Sequence, residues 1–327
     1  MTQIGKVGRI ADLELRPATM DDADFVADMY TALRPDDPDD PVVMRHWWSI
    51  EATDNVVERW IAMHDGRPVG SLFTRHAPWE KMPERFGRVS ADLLPAVRTA
   101  ARLDALYRYL EDRSRAEGTK RFTTWAWEND APLLDMLKLR GFKEERRERF
   151  WECDLVKNRE KLTAMTEESR QRMRDEGITI LTLADDPDPE RYRKLWRMSD
   201  EAEQDIPSTV PHIGTPWETF EEWMRSPGLR EDRQWIAREG DDIVGVSQLS
   251  YPPVRGHVET DWTGTARKVR GRGVARALKC ETVMQAIALG VPRVRTDNDG
   301  ENAPILHLNA SMGYTRLKDM IQLMTPA

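Results

Sequence analysis

The stretch VRGRGVARALK, Val269 to Lys279, decides how the rest of the chain is read. It sets Gly271 and Gly273 two residues apart, adds Ala275, and threads Arg270, Arg272 and Arg276 through and past them. Glycine lets the backbone turn sharply and approach a ligand closely. A helix starting at such a turn aims unpaired N–H groups and the positive end of its dipole at negative charge. Flanking guanidinium groups add charge-assisted bonds to phosphate oxygens. The neighbours supply the setting: VETDWTGTA, Val258 to Ala266, alternates and carries β-branched residues, which predicts a strand feeding the turn. After it, Leu278, Val283, Met284, Ile287 and Leu289 fall mostly along one helical face that Gly290 ends. Strand, glycine turn and helix together form an anion cradle suited to a diphosphate. Neither a Walker loop nor a dinucleotide fingerprint can be drawn through it.

Outward from this stretch the chain repeats itself. RWIAMHDGRPVGSLF, Arg59 to Phe73, lines up with QWIAREGDDIVGVSQL, Gln234 to Leu249, with Trp60 on Trp235 and Gly70 on Gly245 at an offset of 175 residues. ENDAPLLDMLKLRGF, Glu128 to Phe142, lines up with ENAPILHLNASMGY, Glu301 to Tyr314, with Pro132 on Pro304 and Gly141 on Gly313 at an offset of 172. Two anchors in one order at nearly one spacing mark a tandem duplication. Each copy predicts the order β-α-α-β-β-β-α-β-α-β, opening on LELRPA (Leu13 to Ala18) or ITILTLA (Ile178 to Ala184) and closing on RFWECDL (Arg149 to Leu155) or DMIQLM (Asp319 to Met324). The expected units are 1–158, a charged connecting helix over 159–177, and 178–327.

Arg270-Gly271-Arg272-Gly273-Val274-Ala275 matches R-x-x-G-x-A, which resembles the acyl-CoA signature of the GNAT superfamily of N-acetyltransferases. The element order resembles that fold as well. The resemblance implies an α/β (α+β) protein of two tandem GNAT-like domains, each a mixed, mostly antiparallel sheet flanked by helices. It implies that Arg270, Gly271, Arg272, Gly273, Val274 and Ala275 hold the pyrophosphate of acetyl-CoA, and that Thr265 and Ala266 pair with the pantetheine arm. The first copy reads PAVRTAARLDALYRYL, Pro95 to Leu110, at the corresponding place, with no glycine between Gly87 and Gly118. Alanine Cβ atoms impede a positive-φ turn there. The N-terminal half is therefore expected to be degenerate, similar to tandem members such as mycothiol synthase.

Acetyl transfer to an amine needs a group that takes a proton from the ammonium. By alternation His257, Glu259, Asp261 and Thr263 share one strand face; Glu259 is the first candidate base and Asp261 the second, with an exposed polar face as the plain alternative. Family members often carry a tyrosine four residues before the terminal Gly-Phe glycine as general acid; here that position is Asn309, whose amide bonds but delivers no proton. Asn302 matches the first asparagine of that motif, and Asn302 and Asn309 are both expected cofactor contacts. Tyr314 takes the aromatic slot and reads as a core residue. In the loop Met198 to Pro216, Asp200, Glu201, Glu203 and Asp205 either attract an amine or form a solvated face.

The balance of 49 basic and 57 acidic residues, net −8, argues against a general nucleic-acid binder. Cys153 and Cys280 stand far apart with no clustered histidines, so a disulfide framework or metal site is not indicated and both read as packed thiols. The 12 tryptophans read as packing residues. MTQIGKVGRIADLELRP lacks the apolar core of a leader, and no window approaches the length of a membrane span, which predicts a cytoplasmic protein without membrane contact. The expected activity is acetyl transfer from acetyl-CoA to a primary amine of a small molecule, directly in a ternary complex in the C-terminal domain. The alternatives are a protein lysine or N-terminal acetyltransferase and a non-catalytic acyl-CoA-binding module.

Overall fold

A computed structural model describes residues 8–327, so the first seven residues of the leader reading lie outside the described residues. The first copy runs β1 (Arg9–Ile10), β2 (Leu13–Pro17), α1 (Ala23–Leu33), α2 (Pro41–Asp54), β3 (Val56–His64), β4 (Arg67–His76), β5 (Phe86–Leu93), α3 (Ala100–Ala116), β6 (Arg121–Trp127), α4 (Ala131–Leu139) and β7 (Lys143–Asp154). Helix α5 (Arg159–Asp175) connects it to β8 (Thr179–Thr182), α6 (Arg191–Glu203), α7 (Trp217–Met224), β9 (Gln234–Glu239), β10 (Asp242–Ser250), β11 (Glu259–Thr265), α8 (Val274–Ala288), β12 (Arg293–Asp299), α9 (Ala303–Met312), β13 (Thr315–Arg316) and β14 (Met320–Pro326). Both copies follow the expected order. The repeat is visible in register: Ala62 faces Gly70 in the β3–β4 hairpin, and Ala237 faces Gly245 in the β9–β10 hairpin. A Cβ on Gly245 would come within 2.9 Å of Leu278 and 3.0 Å of Val274, so its absence lets α8 lie close against β10.

The expectation that each copy keeps its own closing strand is corrected. One sheet runs β1-β2-β3-β4-β5-β6-β14-β7-β12-β11-β10-β9-β8. Strand β14 leaves its own copy and lies between β6 and β7, while the second part of β7 pairs with β12 and β13 of the other copy. The last strands are thus exchanged. Unpaired edges are a liability, and exchange satisfies the hydrogen-bonding rows of both copies in one ladder. Packing follows the pairing: Ile321 and Leu323 of β14 sit in the core of the first copy, and Trp151 and Cys153 of β7 sit in a core of the second. Both cysteines are buried and unbridged. No described helix is long and apolar enough to cross a membrane.

A second tie joins the copies at the base of β11. Asp40 caps α2, accepting from Val42 and Val43 N–H at 2.8 and 3.1 Å, and its other oxygen accepts from Val254 and Arg255 N–H at 2.6 and 2.9 Å. Burial pushes this carboxyl up, but the four N–H groups hold it below the usual range. Asp40→Ala is expected to cost about 2–4 kcal/mol by urea unfolding, the sum of a lost cap and two unsatisfied donors. A depressed folded-state pKa gives stability that is present above the unfolded value and lost as pH falls through the folded one. The difference from wild type should therefore shrink on acidification below about pH 4; a difference that stays constant to pH 2 would contradict this.

Candidate active site

The cradle forms as its glycines require. Gly271 and Gly273 take φ values of +77° and +92°, and Gly273 is the residue from which α8 starts. No side chain caps that helix, so the N–H groups of its first turn stay open to a ligand. Arg172, reaching across from α5, donates to Gly271 O at 3.1 Å and would stand 3.2 Å from a Cβ at Gly273. The matching start of α3 is closed: Thr99 caps it through Arg102 N–H at 3.2 Å, and no residue between 94 and 99 has positive φ. Its arginines are tied too, Arg98 to Asp130 and Arg102 to Asp12.

From the cradle a wedge opens between β11 and β12. These parallel strands pair only at Glu259 and Arg295 and then part. A bulge at Asp261, where Gln248 faces Trp262 and Leu249 faces Thr260, bends β11 away. Ala266 N–H bonds Val244 O at 2.9 Å, so by the alternation of an antiparallel ladder Thr263 and Thr265 aim their backbone groups into the wedge. The wedge belongs to a cavity of about 1040 Å³ that reaches from Gly271 and Gly273 to Glu148, Trp125 and Gln322 on the exchanged part of the sheet.

The bulge decides between the two candidate bases. It breaks the alternation that would have put Glu259 and Asp261 on one face, and only Asp261 lines the cavity. Burial pushes Asp261 up to about 6, opposed by a 2.7 Å bond from Gln248 Nε2; the Trp223 indole N–H approaches without closing a bond. Glu259 is exposed as a residue, yet enclosure of its carboxyl, followed by Asp297, Asp37, Asp261 and Asp39, pushes it up to about 8. The preference for Glu259 is therefore reversed.

Of the expected cofactor contacts, Thr265, Arg270, Gly271, Gly273, Val274, Ala275 and Asn302 line the cavity. Arg272 does not: its side chain is bound to Glu176 and Glu239, each at 2.8 Å, and its N–H goes to Val269 O. Ala266 is excluded because its N–H is already used in the ladder. Asn309 is fully buried, donates to Asn298 Oδ1 at 2.6 Å and does not reach the cavity. His257 bonds the Asp36 carbonyl. The loop acids mostly fold their own loop: Asp200 and Glu203 accept from Thr215, and Glu201 and Asp205 hold Arg267.

Four cavity-lining side chains escaped the sequence reading because they lie outside the R-x-x-G-x-A motif. Arg172 lay hidden in a charged helical connector. Glu148 lies in the charged run of β7 and Gln322 in the closing strand, and only strand exchange brings them to the wedge. Burial first, then the facing Asp297 carboxylate, pushes Glu148 up to about 9, and burial lifts Asp297 too. Two buried carboxyls so placed disfavour being ionised together. Beside them Gln322, 7 % exposed, also lines the cavity, and its buried Oε1 has no hydrogen-bond partner. Lys279 is the fourth, overlooked on a helix face that otherwise packs as core.

The profile of the Acetyltransferase (GNAT) family matches residues 190–314, from the start of α6 to Tyr314. Residues 190–314 thus carry a GNAT acetyltransferase domain. Among solved structures, a tandem GNAT protein from the clavulanic acid biosynthesis pathway superimposes with TM-score 0.73 at 16 % identity, over 96 % of this chain and 98 % of that one. A GCN5-related N-acetyltransferase from Sphaerobacter thermophilus gives 0.63 at 18 %, over 97 % and 96 %, and a GNAT-family acetyltransferase from Colwellia psychrerythraea gives 0.60 at 10 %, over 95 % and 99 %. No curated protein matches the chain. The likeness in fold extends over both halves of the chain. In it, Arg172, Glu148 and Gln322 lie outside the segment that the family profile covers.

Proposed function

We propose that this chain is a tandem GNAT protein that transfers the acetyl group of acetyl-CoA to a primary amine of a small molecule in its C-terminal half, in a ternary complex. The observation that carries this is a single cavity with an uncapped, arginine-flanked helix start at one end and buried carboxyl groups at the other. The residues present fit the coenzyme. Two positive-φ glycines, the open first turn of α8, and Arg172, Arg270 and Arg276 would hold the diphosphate. Arg270 is held by Asp205 at 2.6 Å and Arg276 by Glu168, and both would exchange those partners for phosphate. Backbone groups of Thr263 and Thr265 would pair with the pantetheine amides. When bound, acetyl-CoA supplies an acyl group activated on sulfur.

Asp261 takes the proton from the incoming ammonium, which its position and a pKa near the working pH both suit. The N–H groups aimed into the wedge stabilise the charge that develops on the acyl oxygen. The Glu148–Asp297 pair attracts a cationic acceptor, and Gln322 Oε1 accepts a further hydrogen bond from it. A site walled by β6, β7 and β14 favours a small acceptor over a protein lysine or N-terminus. Labelled acetyl-CoA offered with a panel of amines, and separately with size-fractionated extract, tests both points: label confined to macromolecules would overturn the small-molecule reading, and no CoA release with any amine would overturn the transfer.

Arg172→Ala is expected to weaken acetyl-CoA binding about tenfold in calorimetry, about 1.4 kcal/mol, because one charge-assisted phosphate contact is lost. The loss should shrink as salt rises. An unchanged affinity at low salt would remove α5 from the site.

A further inference from the structure

Lys279 lies on α8 between Leu278 and Cys280, and it is 1 % exposed. Its side chain lines the cavity where β11 and β12 part. Its Nζ stands 3.4 Å from Thr260 Oγ1 and 5.3 Å from the centre of the Tyr314 ring. No carboxylate among the described residues forms an ion pair with it; the titratable groups that face it are Asp297 on β12, Cys153 on β7, Cys280 on α8 and Tyr314. A buried ammonium that closes no ion pair costs several kcal/mol relative to an apolar residue of the same length. Stability does not account for it, but its position does.

We propose that Lys279 is the proton donor to the departing sulfur. This rests on the reading of the wedge as the thioester site. As the N–C bond to the acceptor forms and the C–S bond breaks, the electron pair of that bond leaves on sulfur. The Lys279 ammonium then transfers one proton from Nζ to it, leaving a neutral amine that water reprotonates. The other groups near the wedge are poorly placed for this. Asn309 is an amide closed off from the cavity, and burial pushes the Tyr314 hydroxyl far up, outside the cavity lining. Burial also pushes both thiols up. Lysine is moved the other way: burial lowers Lys279 to about 8, which makes it a stronger acid than a free lysine while leaving it charged at neutral pH.

The sign of the pH dependence follows. A donor must be protonated, so turnover should fall as pH rises through about 8. Lys279→Met should remove that alkaline limb, lower kcat about 30-fold and leave the KM for acetyl-CoA within about threefold. Lys279→Arg should keep a cation but shift the limb upward. Folding is not at risk in the Met variant, because it replaces a buried charge by an apolar chain of similar length. The decisive measurement needs no variant. In wild-type protein carrying labelled lysine, the Lys279 resonance is titrated with bound CoA and with bound desulfo-CoA. A midpoint at least about one pH unit higher with CoA marks a sulfur–ammonium pair. Identical midpoints, or a Met variant with wild-type kcat and alkaline limb, would overturn the proposal. Calorimetry separates the two failures: no CoA binding to wild type removes the thioester-site reading itself, whereas binding with an unmoved Lys279 removes only the proton donor.

Discussion

Gly273→Glu should weaken acetyl-CoA binding at least about 100-fold, about 2.7 kcal/mol, while the equivalent change at the other helix start, Ala100→Glu, should leave it within about twofold. Three effects act together at Gly273. Its φ of +92° is strained for any residue with a Cβ. That Cβ would press on Arg172 at 3.2 Å. The new carboxylate would occupy the open first turn of α8 and draw off the arginines meant for phosphate. Ala100 begins a helix that Thr99 already caps, where an added acid at most favours the dipole. Calorimetry on both variants reads the result directly. Equal affinity in Gly273→Glu, or a loss in Ala100→Glu, would put the coenzyme elsewhere.

Asp261→Asn carries the second large effect, a fall in kcat of about 10²–10³-fold with little change in acetyl-CoA affinity. Because burial lifts Asp261 to about 6 and a base must be ionised, wild-type kcat should rise with pH through about 6 and be lost below it. In the variant this acid limb should vanish. The stability sign is opposite to that of a paired carboxylate. A folded-state pKa above the unfolded one means that ionising Asp261 costs stability as pH rises between about 4 and 6. Asp261→Asn should therefore be no less stable than wild type at pH 8, which separates lost chemistry from lost fold. Glu259→Gln, outside the cavity lining, should retain most activity. The reverse ranking of these two variants would sink the assignment.

Much of the molecule was legible in the residues because the signals are local. A positive-φ turn needs glycine at Gly271 and Gly273 and almost nothing else. The duplication shows itself as Trp60 and Trp235, or Gly141 and Gly313, at nearly constant spacing. Helix and strand order follow from periodicity within each segment. The missing glycine before α3 likewise forecast a helix start that its own residues close.

What local pattern leaves open is which distant groups share a space. The bulge at Asp261 comes from a register shift between β10 and β11, and it reversed the ranking of two carboxylates that alternation had put on one face. Arg272 and Arg172 look alike as letters, but ion pairs with Glu176 and Glu239 turn one away while a bond to Gly271 O holds the other at the cradle. The exchange of β7 and β14 brings Glu148 and Gln322 to the wedge, since strand partners are chosen by which edges remain unpaired after the whole sheet assembles. The chain by itself thus determined the duplication, the element order and the place of the anion cradle, because each depends on backbone conformation or periodicity over a few residues. Only the tertiary structure decided which carboxyls line the wedge and that Lys279 is buried beside it, because those depend on long-range pairing and on burial that no short stretch encodes.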